Sequence, residues 1–236
     1  MASKRDPFFA RMGWLMLAIT LLAFPLTYFA PLAAGSRSFA PIIHIYGLAY
    51  FSWILLYAWQ SQLVAWGKVA RHRELGLAGI AISALMLPLG IAAAIHAALR
   101  REQRGVEQPW AFTLFNMVDL ALFIAFVTAA IASVTRHPQW HRRFMYGAAV
   151  CLVGPAISRW FLWVPPMPHI MDSAPNLLAD LLLIPLMLHD RRVLGRVHPA
   201  TWWVIAIAVP LHIAAAWFYP GEWWNALAPS LLALRV

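Results

Sequence analysis

Residues 75–99 read LGLAGIAISALMLPLGIAAAIHAAL, twenty-five consecutive positions without a charge between Glu74 and Arg100. A helix needs about 20 mostly apolar residues to cross a bilayer. A buried soluble helix has no use for so long an uncharged run, so this stretch predicts a membrane span. Six more stretches have the same character, giving spans over about 12–34, 41–67, 75–99, 110–134, 142–164, 174–190 and 201–219. Prolines interrupt five of them (Pro25, Pro88, Pro155, Pro185 and Pro210), which membrane helices tolerate where neighbours satisfy the freed carbonyls. The fold expected is an all-α integral membrane bundle of seven helices forming one domain over 1–236. Residues 222–236, rich in tryptophan and broken by Pro229, are too short to cross and read as an interfacial segment.

Composition agrees with that class. Of 236 residues, 62% are hydrophobic and 11% charged, and the mean hydropathy is +0.68. A soluble domain carries roughly a quarter charged residues, so this chain cannot cover a water-facing surface. One cysteine, Cys151, excludes an intrachain disulfide and any CxxC site. Eighteen Lys and Arg against nine Asp and Glu leave a formal charge of +9, which in a soluble protein would suggest nucleic acid.

Here the basic residues mark topology instead. One set of span ends holds Lys4, Arg5, Arg11, Lys68, Arg71, Arg73, Arg136, Arg142, Arg143, Arg191, Arg192 and Arg196, and the other holds Arg37, Arg100, Arg101, Arg104, Arg159 and Arg235. The richer set belongs in the cytoplasm by the positive-inside rule. That places the N-terminus inside and the C-terminus outside, with the bilayer and its headgroups as the partner of the charge and no nucleic acid. Lys4 and Arg5 ahead of an apolar run also fit a signal peptide. The run is longer than an h-region, however, and Leu32-Ala33-Ala34 is a poor cleavage site, so a retained helix is expected.

Ionisable residues inside spans are functional candidates because they are costly there. Counted at 1.5 Å per residue, His44 and His96 lie about 5 Å below the outer end and Arg159 about 8 Å. Asn116 and Asp180 lie at about 9 Å, His212 near 10 Å and Asp119 near 14 Å, with Asn176 at the mouth of its span. The inner half is drier, holding Gln60, Gln62, Ser83, Thr128 and Ser133 but no central carboxylate or arginine. This asymmetry predicts a polar cavity open to the outer face. Asn116 and Asp119 are three apart and Asn176 and Asp180 four apart, so each pair shares a helix face. Arg159 is expected to form an ion pair with Asp119 or Asp180, which either locks the helices or builds a site.

Three functional classes follow. The first is a carrier or assembly factor whose outer cavity binds a small ligand, cofactor or partner subunit. The second is a redox protein in which His44 and His96 ligate haem b axially, with His212 as a substitute; the plainer reading of each histidine is an interfacial side chain with one hydrogen bond. The third is an intramembrane hydrolase with zinc at His44, His96, His212 and Asp119. Met167-Pro168-His169-Ile170-Met171-Asp172 offers soft ligands suited to copper, or is an ordinary loop. His137 and His141 form HxxxH, without a third zinc ligand evidently in reach and beside basic residues that fit headgroup contact. Walker, GxGxxG, GxSxG and HExxH motifs are absent. Trp202, Trp203, Trp217, Trp223 and Trp224 stand at span ends, as in an aromatic belt. His72-Arg73-Glu74-Leu75-Gly76 is echoed weakly at 141–147, either by duplication or because both are cytoplasmic helix starts.

His137-Pro138-Gln139-Trp140-His141-Arg142-Arg143-Phe144-Met145, then Gly154-Pro155-Ala156-Ile157-Ser158-Arg159-Trp160, resembles a family of uncharacterised bacterial polytopic membrane proteins. So does Asp180 to Thr201, which contains Asp190 and ends Gly195-Arg196-Val197-His198-Pro199-Ala200-Thr201. These segments cover less than a third of the chain. The resemblance implies residence in a bacterial inner membrane and carries no assigned activity. The scattered histidines are only loosely similar to transmembrane b-type cytochromes, which commonly place two histidines about four turns apart on one helix, a spacing no span here has.

Overall fold

The computed structural model describes residues 6–163, 170–219 and 221–232. Among them the chain is helical without a strand. Helix α1 (Phe8–Ala23) runs through a π-helical turn at Pro25–Phe29 into a short α2 (Ala30–Ala33). Long helices α3 (Pro41–Ala65), α4 (Val69–Glu102) and α5 (Thr113–Ser133) follow. Next come α6 (Pro138–Cys151), the single turn α7 (Gly154–Ile157) and a 3-10 turn at Trp160–Trp163. The chain continues with α8 (Ile170–Asp180), α9 (Leu183–Leu194), α10 (Pro199–Trp217) and α11 (Glu222–Leu232).

Six of these stretches are long and apolar enough to cross a membrane: Phe8–Ala33, Pro41–Ala65, Val69–Glu102, Thr113–Ser133, Pro138–Leu162 and Pro199–Trp217. The span expected over 174–190 is not one helix. It is α8 and α9, parted at Leu181 and Leu182. Pro185 has no N–H for the Leu181 carbonyl and its ring crowds that oxygen, so the helix stops and restarts with proline in the new first turn. Tyr146 donates its hydroxyl to the Leu182 carbonyl at 2.6 Å, satisfying backbone at the break. Pro25 and Pro155 make comparable breaks, whereas Pro88 and Pro210 lie within unbroken α4 and α10.

The outward faces are apolar, with Leu22, Leu48 and Leu77 each at least 70% exposed, and the interior is closed around α6. Helices α5 and α10 flank α6, α1 covers it, α3 joins α1 to α4, and α4 returns to α5. Gly147 permits one of the closest of these approaches: a Cβ there would stand 2.7 Å and 2.9 Å from the two γ-carbons of Val204 on α10. Small residues serve membrane bundles in this way, because packing must hold helices together where lipid removes the hydrophobic drive. Short connections make α4, α5 and α6 antiparallel neighbours, so Arg100 and Arg143 mark opposite ends of the bundle. At the Arg100 end α11 docks on the start of α5, with Trp224 Nε1 donating to Thr113 Oγ1 at 2.9 Å and Trp110 N donating to Asn225 Oδ1 at 2.9 Å.

The Arg143 end overturns the reading of Arg143 as a lipid-facing rim charge. Arg143 and Asp190 are both fully buried and form an ion pair. Arg143 Nη1 also donates to the Gln139 carbonyl and side chain at 2.9 Å and 2.7 Å. Asp190 accepts in addition from Thr201 Oγ1 at 2.5 Å and His198 N at 3.1 Å. Burial follows from position on α6, since Arg143 lies one turn before Gly147 and shares its inward face. Lys4, Arg5 and Arg235, used above for orientation, lie outside the described residues.

Candidate functional site

Three side chains from three helices meet inside the bundle. His212 on α10 places Nδ1 at 2.8 Å from Asp180 Oδ2 on α8 and Nε2 at 3.2 Å from Asp119 Oδ1 on α5. All three are more than nine-tenths buried. Both ring nitrogens face carboxylates, so each contact needs a proton between nitrogen and oxygen. Asn176, one turn before Asp180, is buried alongside. A methyl group on Gly154 would collide with Asn176 Oδ1 and stand 3.5 Å from Asp119 Oδ2. Only glycine lets α7 pass this close.

The expected ion pair of Arg159 with Asp119 or Asp180 does not form. Arg159 Nη1 donates to the Pro155 carbonyl, and the guanidinium carbon lies 3.7 Å from the centre of the Phe24 ring. The break after Cys151 is the physical reason. It restarts the chain as one helical turn whose terminal carbonyls lack helical donors; the Pro155 carbonyl accepts from both Ser158 Oγ, at 2.8 Å, and Arg159, whose side chain turns toward α1. His212 meanwhile occupies the space between the two carboxylates.

Arg159 and Asp119 nevertheless share a cavity of about 610 Å³. Its polar lining includes Asn116, His96, Tyr46, Tyr50 and the arginines 37, 100, 101 and 104 from the Arg100 end. Apolar wall comes from Phe24, Phe51, Leu120 and Leu152. Asn176, Asp180 and His212 lie behind this wall, reached through Asp119. Tyr50 is held by a 2.5 Å bond from its hydroxyl to the Leu152 carbonyl at the α6 break.

The two candidate haem ligands are not placed alike. His96 lines the cavity, while His44 lies outside the lining with Nδ1 2.6 Å from the Tyr28 hydroxyl. His212 has both ring nitrogens engaged and neither free for iron or zinc. Among the described residues no group of three or more His, Cys, Asp or Glu side chains is arranged to hold a metal ion. Residues 167–169 of the copper-suited loop lie outside the described residues; its Asp172 accepts from Tyr219 Oη at 2.9 Å. At the Arg143 end, the His72 and His141 ring centres lie 6.2 Å apart, and His141 Nδ1 sits 3.0 Å from the Ala130 carbonyl.

The polar residues of the cluster stand out in sequence as in-span charges. The Arg143–Asp190 pair does not, because both sit near span ends where charge is ordinary; the four-residue spacing of Arg143 and Gly147 was the available signal. No protein-family profile, curated protein or solved structure matches this chain.

Proposed function

We propose that this is a seven-span protein of a bacterial inner membrane that binds a small molecule in the cavity at its outward end, in a carrier or assembly role. In this reading α8 and α9 together make a broken sixth crossing, as discontinuous helices do where backbone is buried in protein. The bias of basic residues toward the Arg143 end supports a cytoplasmic N-terminus. The resemblance of residues 137–145, 154–160 and 180–201 to bacterial polytopic proteins supports the same residence.

The observation that carries the reading is the cavity. At about 610 Å³ it lies within the roughly 300–1,000 Å³ of small-molecule sites, and it combines apolar wall with a few convergent polar groups. A structural pairing of Arg159 with a carboxylate would have left nothing for a ligand. The geometry instead leaves Arg159 facing the space.

Ligand-dependent thermal stabilisation of the detergent-purified chain tests this. A ligand that raises the unfolding midpoint of the wild type and not of Arg159→Ala supports it. An optical spectrum and metal analysis of the same sample set it against the other classes: a Soret band after haem supplementation, or stoichiometric zinc, would replace it.

A further inference from the structure

We infer that the cavity receives an organic anion, a single carboxylate or phosphate on an apolar body, with its charge seated at Arg159. This rests on the reading of the cavity as a ligand site and adds the chemical class.

The first observation is charge. Five arginines line the space, and Asp119 is the one carboxylate in the described lining, already bonded to His212. A cavity so biased with low-dielectric walls concentrates anions and repels cations. The second is the state of Arg159. Among the described residues it has no carboxylate partner, and its Nε is buried without a hydrogen-bond partner. A guanidinium has five N–H donors and a planar fork that matches a carboxylate or phosphate. The Pro155 carbonyl and the Phe24 ring orient that fork and do not neutralise it. Charge left unpaired at this depth is costly, and an arriving anion would remove the cost.

The third observation is the wall. Phe24, Phe51, Leu120 and Leu152 offer no polar side-chain group, so the part of the ligand that lies against them is apolar. Arginines 37 and 101 lie over Phe39 and Phe112 at 5.1 Å and 4.6 Å, which holds positive charge at the entrance, where it gathers anions for Arg159.

The anion has two sources, a soluble organic acid or a bilayer lipid, and one experiment separates them. The full-length chain in dodecyl maltoside is titrated with octanoate, octyl phosphate, octanol and octylammonium, and binding is read from the unfolding midpoint. Octanoate and octyl phosphate raise the midpoint, while octanol and octylammonium at equal concentration do not. Arg159→Gln weakens octanoate at least tenfold, and Arg159→Lys restores part of that loss. Displacement of octanoate by phosphatidylglycerol and not by phosphatidylcholine assigns the natural anion to the bilayer. Persistence of octanoate against both assigns it to the soluble pool, and either result supports the class.

Equal binding of octanol and octanoate overturns the inference and leaves the cavity reading standing, as does unchanged octanoate affinity in Arg159→Gln. Failure of all four probes overturns both. If Arg159→Gln does not fold, the charge series on the wild type and Arg159→Lys still decide the matter.

Discussion

Removing the Asp190 carboxylate should destabilise this protein more than any surface change of equal size. Arg143 and Asp190 have no exposed side-chain surface. The carboxylate receives Arg143 Nε at 3.0 Å and 3.1 Å on its two oxygens, besides Thr201 and the His198 amide. Asp190→Ala strands a buried guanidinium together with a hydroxyl and an N–H. Breaking a buried ion pair from one side costs about 3–5 kcal/mol. At about 1.4 kcal/mol per tenfold, that is a loss of roughly a hundred- to several-thousandfold in the folding equilibrium. The penalty belongs mostly to the stranded charge, so replacing both partners by apolar residues should cost far less. Arg143→Met with Asp190→Leu is expected to recover at least about 2 kcal/mol of the summed single costs. Reversible unfolding in mixed micelles, titrated with denaturing detergent, measures both quantities. Arg191→Ala, an exposed change on the same helix, serves as the control and should stay within about 0.5 kcal/mol. A cost under about 1 kcal/mol for Asp190→Ala, or a double variant as unstable as the sum of the singles, would refute the reasoning.

His212→Leu removes the group between two buried carboxylates and should cost about 3 kcal/mol or more in the same assay. Combining it with Asp119→Asn should be less than additive, and strict additivity would show that the three side chains do not act as a unit. Gly154→Ala forces Asn176 away from α7 and should cost about 1–3 kcal/mol as an overpacking change; a neutral result in the unfolding assay would mean that α7 shifts freely.

The helical class and the approximate places of the six helices long and apolar enough to cross a membrane were legible in the chain because a long apolar run has few alternatives. The break in α8–α9 was foreshadowed by Pro185, but Pro88 and Pro210 look the same in sequence and leave their helices continuous. What differs is local satisfaction of the backbone, and Tyr146, which serves the break at Leu182, comes from a distant part of the chain. Asp119, Asp180 and His212 were recognisable as candidates by depth, and Arg159 with them. Their partners were not. Counting residues gives height along a helix and leaves rotation about the axis and tilt against neighbours undetermined, so a carboxylate at the right height had two cationic candidates. The choice fell to His212 because the chain breaks after Cys151 and carries Arg159 toward Phe24.

By itself, then, the sequence determined that this chain is a helical bundle with apolar outward faces, and which few polar residues enter it. Periodicity and the cost of charge in hydrocarbon act locally and can be read locally. The tertiary structure alone decided that Asp119 and Asp180 close on one imidazole, that Arg143 is core and not rim, and that Arg159 faces a cavity without a counter-ion. Each of those outcomes depends on which side chain from another helix arrives first at a given space.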